Sequence, residues 1–382
     1  MDRPRLLILS FSPIAGDARV LKQVALFRGR TELTTCGFGP APEGVDHHVE
    51  ITHGTLPGRT WDALLQAHAY SAGYWALPDV RSARAALRGL TVDAVLADDI
   101  DTLPLALSLG APGGVHCDLH EYFPRLHEEH PPWRRRIGPW YAWLCRRFLP
   151  RAASVTTVGE TIAEEYSRQF GVGVGVVTNA TPYADLAPTP VHHPVRVVHS
   201  GTSHRERNIA SIVDGVLAVP GYTLDLYLTP NDPANLRELR EQAVGEPRLT
   251  VHDPVPYADL VATLNAFDLG VHLLPPINFN FANALPNKVF DFAQARIAAI
   301  VGPSPAMAQV VRDNGFGEVC GGYCADDLAE TLRHLTPGRI AGMKVAADAH
   351  ARDLCAETQV QGWERAVDAL LERAGRRGGV AR

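Results

Sequence analysis

The chain has 382 residues, 46% of them hydrophobic and 20% charged, with a formal net charge of -6. This length favours two domains; the composition excludes a disordered or membrane-embedded chain, and the acidic balance argues against nucleic acid as a partner. Six cysteines scattered from 36 to 355 form no disulfide framework, so a cytoplasmic location is expected. The opening MDRPRLLILSFSP passes straight into a strand pattern, with no signal peptide. No apolar run reaches the roughly 20 residues that span a bilayer.

Arg5 to Phe11 reads as a buried strand, followed by a loop with Gly16 and a helix with apolar positions at Val20, Val24 and Phe27, capped by Asp17. Strand, glycine loop and helix open a doubly wound domain, and Gly16 would let the loop backbone approach a phosphate or acceptor. Residues 59–88 are mostly helical in pattern. A strand from Asp93 to Ala97 ends in Asp98, Asp99, Ile100 and Asp101, then a helix runs from Leu103 to Leu109. The Asp-x-Asp triplet is what metal-dependent transferases of another fold class use to hold a divalent cation. The next strand, Gly113 to Asp118, delivers His120 to the carboxyl edge of a sheet, where such domains bind ligands. His127-Glu-Glu-His130 lacks zinc-helix spacing and reads as solvated surface. Cys320 and Cys324 have no companion ligands, so no metal site is assigned there.

Trp133 to Arg151 carries six arginines among its aromatic residues, a composition suited to weak contact with an anionic membrane surface, as for a protein peripheral on the inner face, or with an acidic acceptor. Gly138-Pro139 is expected to interrupt any helix there. Ser154 to Val158, Glu160 to Phe170 and Val174 to Thr178 read as strand, helix and strand, and the proline-rich Thr181 to Pro194 as a linker. A second alternation follows, with strands at Val195 to His199, Thr223 to Leu228, Leu249 to His252, Leu269 to Leu274 and Ile297 to Val301. The expected class is α/β, with two doubly wound Rossmann-like domains facing across a cleft, residues 1–185 and 186–352. From Gly375 a basic tail is expected.

Phe281 to Ile300 concentrates the chemistry. Pro286 suits a first helical turn, and Asn287 and Lys288 behind it place a cation beside unpaired backbone N–H groups, an anion site. One turn deeper, Asp291 offers an acceptor for two ribose hydroxyls. Lys288 and Asp291 at this spacing favour a nucleoside diphosphate.

The segment ALPNKVFDF resembles the donor-binding segment of retaining glycosyltransferases of family 4, which are of GT-B type. Asn283 and Asp291 stand where that family has two glutamates, and Arg296 and Ala298 stand where it usually has Gly-x-Pro. Asp17-Ala-Arg-Val, Asp118-Leu-His-Glu and Ser200-Gly-Thr resemble further segments in the same order, with Thr202 where Arg is usual and Arg207 where Lys is usual. The resemblance implies a metal-independent transferase that moves a sugar from a UDP- or GDP-sugar donor to an unspecified acceptor hydroxyl with retention. It implies His120, Lys288 and Arg207 as catalytic residues. It places Gly16, Gly201, Thr202, Asn283, Ala284, Leu285, Asn287 and Asp291 at the donor, with Val255 in the base-binding loop. It also implies that a C-terminal helix within 353–382 crosses back to the first domain, and that no cofactor or metal is needed beyond the donor. The chain has no G-x-G-x-x-G, Walker loop or G-x-S-x-G. Two other readings remain: a nucleotide-sugar epimerase of the same fold, and a catalytically inactive binding subunit, which Asn283, Thr202 and Arg296 motivate.

Overall fold

The first apolar run forms β1 (Arg5–Pro13). Leu6 and Ile8 pack on one face and Leu7 and Leu9 on the other, all four fully buried, as required of a parallel strand covered on both sides. The computed structural model describes residues 3–55 and 58–380. The chain divides into two compact units, one of Met1–Thr178, Asn278–Asn280 and Val360–Arg382, the other of Asn179–Ile277 and Phe281–Gln359.

In the first unit β1 is joined by β2 (Glu32–Phe38), β3 (His47–Ile51), β4 (Ala94–Asp98), β5 (Val115–Leu119), β6 (Ser154–Thr157) and β7 (Val174–Val176). Their order is β3-β2-β1-β4-β5-β6-β7 and every pair is parallel. The strand order reverses between β1 and β4, which opens a crevice at their carboxyl ends. Asp17 caps the helix after β1, its carboxylate accepting from the backbone N–H of Arg19 and Val20 at 3.0 and 3.3 Å. The second unit repeats the plan with β8 (Val195–Thr202), β9 (Tyr222–Thr229), β10 (Leu249–His252), β11 (Leu269–His272), β12 (Ala298–Val301) and β13 (Gly317–Val319). Its parallel order is β10-β9-β8-β11-β12-β13, so the reversal falls between β8 and β11. Both units are therefore doubly wound α/β, as the alternation predicted.

Two local expectations are corrected. Gly138-Pro139 does not break the chain's direction: one helix runs through both, from Pro131 to Phe148. Tertiary packing overrides the missing N–H of Pro139, because Trp140, Leu144 and Cys145 bury one side of this helix. Gly138 lets it pass close to the turn before it, since a Cβ there would lie 3.1 Å from the Pro124 carbonyl oxygen. The tail expected from Gly375 is instead the end of a helix spanning Gln361–Val380. Trp363, Val367 and Leu370 of that helix join Leu6, Ile8 and Leu96 in one core. Among the described residues, no helix is long and apolar enough to cross a membrane.

Candidate functional site

In the second unit the reversal point between β8 and β11 is furnished with basic groups. Gly201, near the end of β8, has φ +149°, and a Cβ on it would lie 2.7 Å from Lys288 Cε and 2.8 Å from Lys288 Nζ. Glycine is thus required for the lysine to fold over the strand end. Lys288 is the second residue of the helix Asn287–Gln294, whose N-cap is Pro286; the proline stands just before the first turn expected to hold it, so the open N–H groups of that turn begin at Asn287 and Lys288. Burial pushes the Lys288 ammonium down to about 8, Arg207 adds to the shift, and Asp291 opposes it. Arg207 closes a short 3-10 turn after β8, its guanidinium 4.9 Å from the Phe281 ring centroid. The next residue, Asn208, takes a left-handed conformation and donates from its side chain to the Tyr323 carbonyl at 2.7 Å, which fixes the turn.

Two histidines lie under these cations. His199 on β8 and His272 at the end of β11 stack with ring centroids 6.0 Å apart and are each 1% exposed. His199 donates from Nδ1 to the Val271 carbonyl at 2.8 Å, which leaves Nε2 without a proton or a partner. Neither ring nitrogen of His272 has a partner. Burial, reinforced by Lys288, lowers His199 to about 4 and His272 well below its ordinary value. Both rings are thereby held neutral near pH 7.

Asp291 is buried and accepts from the Thr181 hydroxyl at 2.5 Å. Burial pushes the Tyr257 phenol up to about 12, a shift that Thr181 and Asn287 oppose. Asn283 and Ala284 are half-buried and Leu285 is buried in the turn before the Asn287 helix; Thr202 ends β8, and Val255 is half-buried in the loop after β10. The structure therefore brings Gly201, Lys288, Arg207 and Asp291 into one neighbourhood of the second unit. Gly16 and His120 belong to the first.

In the first unit His120 follows β5, and its backbone N–H donates to Asp99 Oδ1 at 2.8 Å. Its Nδ1 lies 3.3 Å from Asp99, and its Nε2 lies 3.6 Å from both Asp98 and Asp118, which is charge contact and not a hydrogen bond. Burial opposes a charge on this imidazole, but Asp99, Asp118 and Asp98 outweigh it and raise His120 well above its ordinary value. Below them Arg19 grips Asp118 with two bonds, at 2.6 and 2.8 Å, and Thr156 adds a third at 2.6 Å. Burial alone would raise Asp118, yet Arg19 and His120 hold it well below the carboxylate range. Asp98, bonded by Gln23 at 2.7 Å, is pushed by burial up to about 7. Gly16 is exposed, and a Cβ on it would meet nothing within 4 Å, so this turn does not require glycine.

The two ends of the Asp-x-Asp triplet have separate partners. Asp99 holds the His120 loop, whereas Asp101 accepts from Tyr141 at 3.2 Å. Asp98, Asp118 and His120 are the one group of described residues whose ligand atoms converge as a metal would require. There the Arg19 guanidinium already occupies both Asp118 oxygens. Sequence reasoning quoted Arg19 and Asp118 in separate motifs but did not pair them, since they stand 99 residues apart. It also missed His199 and His272, which hide inside apolar runs.

Compared with solved structures, the chain aligns over nearly its whole length. It is similar to HepE of Anabaena in complex with UDP, with TM-score 0.69 and 16% identity over 96% of this chain and 100% of that one. It is similar to sucrose-phosphate synthase of Thermosynechococcus elongatus, with TM-score 0.74 and 12% identity over 97% and 100%. The fold is GT-B. A third GT-B neighbour is the α,α-trehalose 6-phosphate synthase of Burkholderia multivorans, with TM-score 0.65 and 12% identity over 98% and 100%. No family model matches the chain, and no curated protein matches it in sequence.

Proposed function

We propose that the chain is a glycosyltransferase that moves a sugar from a nucleoside-diphosphate sugar to an acceptor hydroxyl with retention of configuration. The observation that carries this reading is Lys288 folded over Gly201, with Arg207 beside it and a helix N-terminus behind it, at the strand reversal of a GT-B unit. In the reaction the acceptor oxygen bonds to the anomeric carbon as that carbon's bond to the β-phosphate oxygen breaks, and the acceptor proton passes to the departing diphosphate. Negative charge grows on the β-phosphate during this step, where fixed cations stabilise it. UDP-linked donors come first among candidates, because HepE is described with both UDP and UDP-glucose.

A thermal-shift series with UDP-, GDP- and ADP-sugars tests donor binding, since a ligand at 100 times its Kd stabilises by roughly 2.7 kcal/mol. Transfer products analysed by NMR then give the anomeric configuration. An inverted product would overturn retention, and an epimerised donor formed without acceptor would point to the isomerase reading. The same proposal makes the enzyme metal-independent, because two protein cations already serve the diphosphate. Excess EDTA is expected to leave the transfer rate within a factor of about two; loss of activity restored by manganese would contradict it.

The location proposed is cytoplasmic, with weak membrane contact through residues 133–151. Arg135, Arg136, Arg146 and Arg147 are exposed on that helix.

A further inference from the structure

Four basic groups crowd the strand reversal of the second unit, and two of them carry no charge. A virtual Cβ on Gly201 lies 2.8 Å from Lys288 Nζ and 4.0 Å from His199 Nε2, so the imidazole and the ammonium flank the same patch of backbone. Register explains why the two rings meet: Gly270 of β11 pairs with Val198 of β8, which sets Val271 beside His199 and His272 just beyond. Three ring nitrogens of this pair are buried without a hydrogen-bond partner. An orphaned polar atom in a protein interior is costly. The charged groups acting on the pair are Lys288 from the Asn287 helix and Arg207 from the turn after β8, both cationic. Asp291, the carboxylate that acts on Lys288, is bonded to Thr181. What the pair lacks is an anion.

We propose that His199 and His272 line the diphosphate site and take up a proton as the diphosphate arrives, becoming a third cation that exists only in the loaded enzyme. This rests on the nucleotide-sugar reading above. With the site empty, a charged imidazole would face Lys288 and Arg207 unopposed, so the pair stays neutral. Two negative phosphates at this position reverse the local field, and the imidazole gains a proton from solvent at Nε2, the nitrogen that Nδ1 donation to Val271 leaves open. The loaded state then holds more protons than the empty one, so affinity must rise as pH falls. Lys288 also gains from the diphosphate, but it titrates near 8. Linkage through Lys288 therefore belongs above pH 7, and linkage through the histidines belongs below it.

The test uses UDP-glucose, GDP-mannose and ADP-glucose, whose diphosphate diesters have no group of their own titrating between pH 5 and 7. The donor that binds best at pH 7.5 is titrated calorimetrically at pH 5.5, 6.0, 6.5 and 7.0 in two buffers of different ionisation heat. We expect uptake of about half a proton near pH 6.5 and an affinity that tightens roughly five- to tenfold from pH 7 to 5.5. His199→Asn keeps the donation to the Val271 carbonyl but cannot titrate, so whatever its affinity at pH 7.5 it is expected to lose most of the low-pH gain. Donor binding with no proton uptake in the wild type overturns the inference while leaving the site reading intact, and this needs no variant to fold. Undiminished uptake in His199→Asn assigns the proton elsewhere and also overturns it. If none of the three donors binds, the nucleotide-sugar reading itself falls.

Discussion

Lys288→Ala is expected to lower sugar transfer at saturating donor by about 10²- to 10³-fold, the scale for removing one preorganised donor from a developing charge. The lysine is held partly desolvated over Gly201, where a cation acts more strongly than at a wet surface. The loss appears in rate as well as affinity, because the leaving diphosphate is more negative at its β-phosphate in the transition state than in the bound donor. If Lys288 were only one half of a surface ion pair, its removal would cost at most about 1 kcal/mol and leave turnover alone. Lys288→Arg is expected to recover part of the rate, since a planar fork does not replace a compact ammonium. Gly201→Ala supplies an independent check: its methyl would overlap Lys288 Cε and Nζ, so it is expected to reproduce most of the loss without touching the lysine. Single-turnover transfer decides the matter, and a Lys288→Ala enzyme within about threefold of wild type would show that this helix end is not the phosphate site.

Arg296→Ala is expected to destabilise the second unit by about 2–3 kcal/mol, the cost of leaving buried carbonyls without a donor, while the half-exposed Asp348 is rehydrated. Arg296 follows the Asn287 helix with φ 59° and is fully buried. Its guanidinium donates to Asp348 at 2.7 Å and to the carbonyls of Gln294 at 2.6 Å and Ala184 at 2.7 Å. The side chain caps the C-terminal end of the helix whose opposite end holds Lys288, and ties it to the strap after Asn179. Arg296→Gly is expected to recover only about 1 kcal/mol, because glycine relieves the left-handed backbone but bonds none of these acceptors. Chemical denaturation followed by a probe in the second unit measures both; a loss under about 1 kcal/mol for Arg296→Ala would mean that water replaces the guanidinium.

How far the chain was legible follows from which of its interactions are local. β1, β4, β5, β8, β9, β10, β11 and β12 are apolar runs bounded by turns, and periodicity finds them. β2 and β3 escape it: Glu32–Phe38 buries Thr34 and Thr35, and His47–Ile51 lies at a sheet edge with polar residues partly in water. Lys288 was readable because Pro286 and Asn287 mark a helix start within the sequence itself. The role of Gly201 was only half readable, since its need for a missing side chain comes from a lysine 87 positions later (288 less 201). Arg296 read as a departure from a familiar pattern until its bonds to Asp348 and Ala184 showed what a side chain there accomplishes. The helix through Pro139 is the converse case, where local chemistry pointed to a break and packing decided otherwise.

The position of the last helix also bears on how the protein is born. One face of the first sheet is completed by Trp363, Val367 and Leu370, and Gly113 is shaped to admit this helix, since a Cβ there would lie 2.4 Å from the Leu370 carbonyl oxygen. The ribosome makes β1 before the second unit and this helix after it. At roughly 5–20 residues per second, the stretch between Thr178 and Val360 occupies about ten to forty seconds of synthesis. Throughout that interval Val20, Val24 and Phe27 cover part of the face of Leu6, Ile8 and Leu96, and the part that Trp363, Val367 and Leu370 fill stays open, while the second unit, almost continuous in sequence, emerges and closes on its own core. The unit begun before the other is therefore completed after it, and the nascent first unit is where chaperones have most to hold and aggregation most to gain.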